Sequence, residues 1–329
     1  MAFAIEARRL KKVYDGRTKA LDGVDLQVSP SEVFALLGPN GSGKTTLMRI
    51  LTTQFGPTSG EARNFGLDVV KSGREVRRMI GYVPQETSVW ADISGFENLL
   101  IYSKIYGVPS SRRRKNIQDA LSSMGLDEVA TRMVKTYSGG MVRRLEIACA
   151  LLVKPKILFL DEPTIGLDPS ARKAVWENLT TFKKEYGTTV FFNTHYMDEA
   201  DLYSDEIAII DRGKIVKSGT PSELKHSLGS EILRFHFNFN HANSNHDGSD
   251  GIGEGALVAV KSLGFVRDAV ISDSMLDVFV EDGETALPKI VEALITEGAS
   301  IERISAARPT LDDVFLRYAG NISFGRGGG

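Results

Sequence analysis

Gly38-Pro39-Asn40-Gly41-Ser42-Gly43-Lys44-Thr45 follows the apolar run Val33 to Leu37 and leads directly into the helix-like stretch Thr45 to Thr53. A strand, a glycine-rich turn ending in Lys and Thr, and a helix together make a phosphate-binding loop; the same residues outside that setting would say little. Glycines let successive backbone N–H groups curl around the β- and γ-phosphates at a helix N-terminus, where the dipole favours negative charge. Gly38, Asn40, Gly41, Ser42 and Gly43 are the expected cradle, and Lys44 its mobile cation. Thr45 offers a hydroxyl to Mg2+, and Thr46 is a further nucleotide contact. Alone, the motif implies only that a nucleoside triphosphate binds.

Outward from this loop, β-rich runs alternate with helical patterns: Ile157 to Leu160 then Ser170 to Tyr186, and Thr189 to Asn193 then Met197 to Ser204. Such alternation predicts an α/β core, a parallel sheet covered by helices. Residues 90–136 carry helical periodicity at Glu97 to Tyr106 and Ser111 to Met124 with few strand signals, and are read as an inserted helical subdomain. The core domain is expected over residues 1–220, ending near Thr220-Pro221-Ser222-Glu223, where Thr220 or Ser222 caps a short helix.

Residues 221–320 read as a small α+β accessory domain. Strands are expected at Ile232 to Phe239, Ala269 to Ile271, Met275 to Val280 and Ser300 to Ser305, and helices at Ala256 to Leu263 and Thr285 to Thr296. Its polar Gly/Asn-rich segment reads as a mobile loop over about 241–255, and the glycine-rich 321–329 as a flexible tail.

Forty basic residues against 42 acidic ones, with 42% hydrophobic residues, describe a soluble globular protein and argue against a nucleic-acid partner. The one basic run, Arg112-Arg113-Arg114-Lys115, reads as a solvated helix face. A single cysteine, Cys149, lies within the apolar run Ile147 to Val153, which excludes an intramolecular disulfide and favours a buried residue in a reducing cytoplasm. No apolar run approaches the roughly 20 residues of a spanning helix, and Met1 to Arg9 does not read as a signal peptide, so a cytoplasmic location is expected. His236, His241 and His246 recur evenly but lack accompanying Cys or paired carboxylates, so solvated histidines are preferred to a metal site.

A second chemical site is Ile157-Leu158-Phe159-Leu160-Asp161-Glu162, an apolar strand ending in two carboxylates. Asp161 suits Mg2+, directly or through water, while Glu162, pointing elsewhere, suits polarising a water for attack on the γ-phosphate. The competing reading is that both acids cap the turn Pro163-Thr164-Ile165-Gly166.

Tyr137-Ser138-Gly139-Gly140-Met141 resembles the signature motif of ABC ATPases, usually written LSGGQ. The order of motifs is also similar to that family. The phosphate loop is followed by Gln85 in Gly81-Tyr82-Val83-Pro84-Gln85, the signature, the acidic strand, Gly166-Leu167-Asp168-Pro169, and His195 after Thr194. The resemblance spans Ile5 to Gly219. It implies a P-loop NTPase core of the ABC type, ATP and Mg2+ as ligands, and a homodimer. Gln85 would lie near Mg2+ and the attacking water. Ser138, Gly139 and Gly140 would close over the γ-phosphate of the partner's ATP as a second anion nest. Asp168 would lie on the loop crossing between subunits, and His195 would hydrogen-bond the γ-phosphate. Tyr14 stands where the family stacks an aromatic on adenine, with a core tyrosine as the alternative.

Tyr137 and Met141 depart from the commonest signature, but the Ser-Gly-Gly core is intact. With Arg143-Arg144-Leu145-Glu146 after it and Pro309-Thr310-Leu311-Asp312-Asp313-Val314-Phe315-Leu316 near the end, the chain resembles the daunorubicin-resistance type of ABC ATPase. That group partners ABC-2 type export permeases, which implies a peripheral position on the inner face of the membrane and export of a drug-like, lipid or polysaccharide cargo. The closing segment also reads simply as an amphipathic helix with Leu311, Val314 and Phe315 on one face. ABC proteins of translation or DNA repair usually carry two cassettes or a coiled-coil insertion, and neither feature is found. A nucleotide-binding regulator without turnover would lose the base, yet Glu162 and His195 are both present.

Overall fold

The computed structural model describes residues 3–237, 249–272 and 275–319. It contains two compact units, one built on Met1–Thr220 and one of Pro221–Gly320.

The first unit opens with the antiparallel pair β1 (Ile5–Tyr14) and β2 (Thr18–Val28), followed by β3 (Val33–Leu37), α1 (Lys44–Leu51), β4 (Ser59–Asn64), β5 (Leu67–Asp68), α2 (Gly73–Arg77) and β6 (Ile80–Val83). Helices α3 (Gly95–Ile105), α4 (Ser110–Ser123) and α5 (Gly139–Leu151) come next. Then follow β7 (Ile157–Asp161), α6 (Pro169–Tyr186), β8 (Thr189–Thr194), α7 (Met197–Tyr203), β9 (Glu206–Asp211) and β10 (Lys214–Gly219).

Every residue of β3, β7 and β8 is buried, as expected of strands covered on both faces, and their near-continuous apolar sequences follow from that. They lie inside a six-stranded sheet of order β10-β9-β3-β8-β7-β6, parallel except for β10. The register pairs Leu37 with Thr194 and Asp161 with Asn193, so the loops after β3, β8 and β7 leave at one edge. In open parallel sheets that carboxyl edge is where ligands bind.

A second sheet, β2-β1-β4-β5, has no clear apolar alternation to mark it in the sequence. Arg8, Arg9, Lys11 and Lys12 interrupt the apolar pattern of β1 and mask its buried face of Ile5, Ala7 and Leu10. That face packs with Leu21 and Val24 against Phe34, Phe159 and Phe191 in one core.

The helical segment has a strong start signal. Ser94 Oγ accepts from Glu97 N–H, while the Glu97 carboxylate accepts from Ser94 N–H at 2.8 Å, a complete capping box; the Ser94 hydroxyl, donating to the same carboxylate at 2.7 Å, and then that N–H hold Glu97 below the usual carboxylate range. Arg112, Arg114 and Lys115 on α4 are exposed, and Cys149 on α5 is buried.

The second unit runs α8 (Pro221–His226), β11 (Glu231–Phe237), α9 (Ser249–Lys261), β12 (Val266–Ser272), β13 (Met275–Val280), α10 (Gly283–Thr296), β14 (Ile301–Ala307) and α11 (Leu311–Ala319). From β11 to β14 this is a βαββαβ unit with antiparallel order β12-β13-β11-β14, a ferredoxin-like arrangement. Leu233, Phe235, Leu276 and Val278 of the sheet pack on Val260, Ile290 and Leu294 of its helices. Helix α9 begins at Ser249, ahead of the expected Ala256, because apolar spacing becomes visible only from Ala256 onward. The rest of the expected loop, with His241 and His246, and the tail 321–329 lie outside the described residues.

Candidate nucleotide site

The turn from β3 into α1 leaves room for backbone and for little else. Gly43 has φ 110°, and a Cβ there would stand 2.5 Å from the Ala20 carbonyl oxygen; a Cβ on Gly38 would stand 2.4 Å from that of Ile210. Inside the turn, Ser42 Oγ is buried and has no hydrogen-bond partner among the described residues. A buried orphan hydroxyl in a nest of N–H groups at a helix N-terminus fits a phosphate oxygen. Lys44 is only 6% exposed and folds back, donating from Nζ to Gly38 O at 2.6 Å and Pro39 O at 3.0 Å. Burial pulls its ammonium below the ordinary lysine value, and the charges of Glu162 and Asp161 oppose that pull. Thr45 and Thr46 are half-buried on the first turn of α1. The half-buried Tyr14, at the end of β1, brings its hydroxyl to 3.5 Å from Thr46 Oγ1, and its ring meets Phe55 edge-on at 6.0 Å.

Asp161, the last residue of β7, is 3% exposed, and its Oδ1 accepts from Asn193 Nδ2 at 2.7 Å. Burial raises its pKa, the Asn193 bond opposes that, and the neighbouring Glu162 charge adds to it. A dehydrated carboxylate of this kind, close to a nest for phosphate, is chemically suited to a divalent cation. Glu162 leaves the strand with φ 47°, a left-handed conformation uncommon outside glycine. Asn193 holds it there, Oδ1 accepting from Glu162 N–H at 2.8 Å.

The Glu162 carboxylate faces His195, whose Nδ1 is 3.3 Å from Oε1, and Gln85, whose Nε2 donates to Oε2 at 3.5 Å. The turn after Glu162 is closed by its own backbone, Ile165 N–H to Glu162 O and Leu167 N–H to Thr164 O. Both carboxylates therefore face side chains of neighbouring strands and loops, Asn193 for Asp161 and His195 and Gln85 for Glu162, and neither caps the turn that follows.

Ser138 is the N-cap of α5, its Oγ accepting from Met141 N–H at 3.3 Å, and it is exposed together with Gly139. Gly140 is buried, where a Cβ would stand 2.8 Å from Ala171 Cβ on α6. Tyr137 OH donates to Val129 O at 2.7 Å, which gives the aromatic at this position a tie into the helical segment. Asp168 is exposed and caps α6, Oδ1 accepting from Ser170 and Ala171 N–H at 3.0 Å each.

Asn193, Glu199, Arg143 and Glu146 carry no motif of their own in the sequence, yet all four are buried beside this site. Glu199, 1% exposed, accepts from Thr164 Oγ1, from Trp176 Nε1 at 3.1 Å and from Thr194 Oγ1 at 3.0 Å. It thereby ties the turn after Glu162 to the residue before His195. The available signal was charge or amide at positions that periodicity assigns to the interior, since a buried polar group needs partners.

The carboxyl edge of one parallel sheet thus gathers the glycine-rich turn with Lys44, the acidic pair Asp161 and Glu162, Gln85 and His195. The ABC transporter family matches residues 21–165, and the family described as ATP-binding protein DrrA1-3-like, C-terminal domain, matches residues 219–319. The daunorubicin/doxorubicin resistance ATP-binding protein DrrA of Streptomyces peucetius is 40% identical over 319 residues, covering 97% of this chain and 93% of that protein. Among solved structures, cbiO1 from Clostridium perfringens, part of the ABC transporter complex cbiONQ, has a TM-score of 0.64 at 29% identity, covering 68% of this chain and 91% of that one. A dimeric ATP-binding cassette in a post-hydrolysis state, bound to ADP and Pi, has a TM-score of 0.58 at 27% identity, covering 66% of this chain and 98% of that one. The chain belongs to the ABC transporter ATP-binding proteins of the daunorubicin/doxorubicin-resistance type. It is an ATP-binding, ATP-hydrolysing subunit.

Proposed function

We propose that two copies of the chain hold two ATP molecules between them, each bound by the phosphate loop of one copy and capped by Ser138, Gly139 and Gly140 of the other. In this reading Gly38, Asn40, Gly41, Ser42 and Gly43 surround the phosphates, Lys44 and Thr46 contact them, and Tyr14 stacks on adenine. Thr45, Gln85 and Asp161 would hold Mg2+, which supplies charge neutralisation at the phosphate oxygens when bound. Glu162 takes a proton from water as the water oxygen attacks the γ-phosphorus and the bond to ADP breaks. His195 orients Glu162 and contacts the γ-phosphate, and Asp168 borders the partner.

The observation that carries the reading is convergence. Gln85, Glu162 and His195 follow β6, β7 and β8, neighbouring strands of one sheet, and their side chains meet at one carboxylate. The exposure of Ser138 and Gly139 at a helix N-terminus supports their use by a second copy. Closure and reopening of the pair would drive an ABC-2 type permease from the inner face of the membrane, exporting a drug-like, lipid or polysaccharide cargo. Among the described residues no helix is long and apolar enough to cross a membrane, which leaves the translocation path to a separate partner in this reading.

The test is Glu162→Gln, assayed for turnover and for retained nucleotide. Loss of hydrolysis by about a hundredfold or more with ATP still bound supports the assignment; wild-type turnover contradicts it.

A further inference from the structure

Arg143 lies on α5, the helix that starts from Ser138, and is 7% exposed. Its guanidinium makes five hydrogen bonds, matching its five N–H donors. Nε donates to Pro163 O at 2.8 Å; Nη1 donates to Pro84 O at 2.7 Å and Glu146 Oε2 at 2.9 Å; Nη2 donates to Asp161 O at 2.8 Å and Glu162 O at 3.2 Å. Four of these acceptors are main-chain carbonyls: one precedes Gln85, and three are consecutive through the acidic pair. Glu146, 4% exposed, uses its other oxygen to accept from Ser88 N–H at 2.6 Å, on the far side of Gln85.

A buried ion pair is weak grounds for stability, because desolvating both charges offsets much of their attraction. What this pair does distinctively is hold backbone. The left-handed Glu162 has its N–H fixed by Asn193 and its carbonyl by Arg143, while Pro84 and Ser88 are gripped on either side of Gln85. A lysine presents a point charge with three donors and cannot span carbonyls of two loops in a plane.

We propose that Arg143, with Glu146, is a positioning residue for hydrolysis: it transmits the placement of the Ser138 helix to the backbone of Glu162 and to the loop of Gln85. Closure of a partner's nucleotide on Ser138 is thereby registered at the base in the same subunit. The proposal rests on the reading of Glu162 as base and of Ser138 as acting across the dimer. It places no atom of Arg143 on the nucleotide and leaves the phosphate loop's own contacts in place, so the chemical step is slowed far more than ATP binding is weakened.

The experiment compares Arg143→Lys and the double variant Arg143→Met/Glu146→Met with wild type and with Glu162→Gln, measuring kcat, KM for ATP, thermal melting and ATP binding in the full-length protein. Displacing a catalytic group by about 1 Å costs on the order of a hundredfold, so the expected result is a kcat lowered at least about tenfold with KM within about twofold, in folded protein. The double variant removes both charges and leaves no buried ion unpaired, so it reports where the single change disturbs folding. A folded variant with wild-type kcat overturns the proposal, as does a rise in KM that accounts for the lost activity. Loss of the fold in both variants also overturns it, making the pair a structural element only. If Glu162→Gln keeps wild-type turnover, the base assignment itself is refuted, and the proposal with it; a dead Glu162→Gln beside fully active Arg143 variants refutes the proposal alone.

Discussion

His195 Nδ1 lies 3.3 Å from Glu162 Oε1, joining the end of β8 to the residue just past β7. The two strands are adjacent and parallel, and the register that pairs Asp161 with Asn193 sets the approach. The Asn193 side chain completes it, its Oδ1 accepting from Glu162 N–H and its Nδ2–H donating to Asp161 Oδ1, so one amide orients both acids. A general base needs this kind of support, because its reach is useful only when its backbone does not drift.

Tyr14 separates stacking from simple packing. Its ring is half-buried beside Thr46, and stacking on a base is worth about 1–3 kcal/mol. Tyr14→Ala is expected to raise the dissociation constant for ATP about tenfold while leaving kcat unchanged, and Tyr14→Phe to preserve both. Equilibrium binding of a fluorescent ATP analogue, competed with ATP, measures this. A lowered melting temperature with unchanged affinity would mark Tyr14 as a core residue instead.

Glu199 is the next point of leverage. Glu199→Ala leaves Thr164 Oγ1, Trp176 Nε1 and Thr194 Oγ1 without their buried acceptor. Each abandoned buried donor costs about 1–3 kcal/mol, so a loss of about 3 kcal/mol or more is expected, with Glu199→Gln costing less because one oxygen acceptor remains. Urea unfolding of the three proteins gives the comparison.

Cys149 supplies a pH signature. Burial, with the Glu146 charge adding to it, holds its thiol well above the ordinary cysteine range. The folded state therefore keeps the proton after the unfolded chain has lost it, so stability from this group is present below about pH 8.5 and declines as pH rises beyond it. Relative to Cys149→Ala, wild type is expected to lose about 1.4 kcal/mol per pH unit above that point. Urea titrations from neutral to alkaline pH measure the difference, and parallel curves would contradict it.

Much of the candidate site was legible because its parts are local. A glycine-rich turn between strand and helix, and an apolar strand ending in Asp161 and Glu162, each announce their chemistry within a few residues. The supporting shell was not legible for the opposite reason. Asn193 becomes a clamp only when β8 lies beside β7, and Arg143 becomes a hub only when α5 packs under two loops distant in sequence. The β1–β2 pair was hidden by lysines and arginines on its outer face, and the start of α9 by a polar, glycine-rich first turn. The ferredoxin-like order of the second unit depends on which strands pair across the sheet, which alternating apolar residues alone do not specify.

The central claim is that each nucleotide is served by the phosphate loop of one subunit and by Ser138 of the other. The direct measurement mixes two inactive proteins, Lys44→Ala and Ser138→Arg, and follows ATP hydrolysis. In a sandwich the mixed dimer contains one site with both Lys44 and Ser138 intact, so hydrolysis should reappear, at up to about a quarter of the wild-type rate for random pairing in a two-fold dimer. If each subunit completes its own site, both proteins remain dead in the mixture, and the account of Ser138 acting across the dimer is wrong.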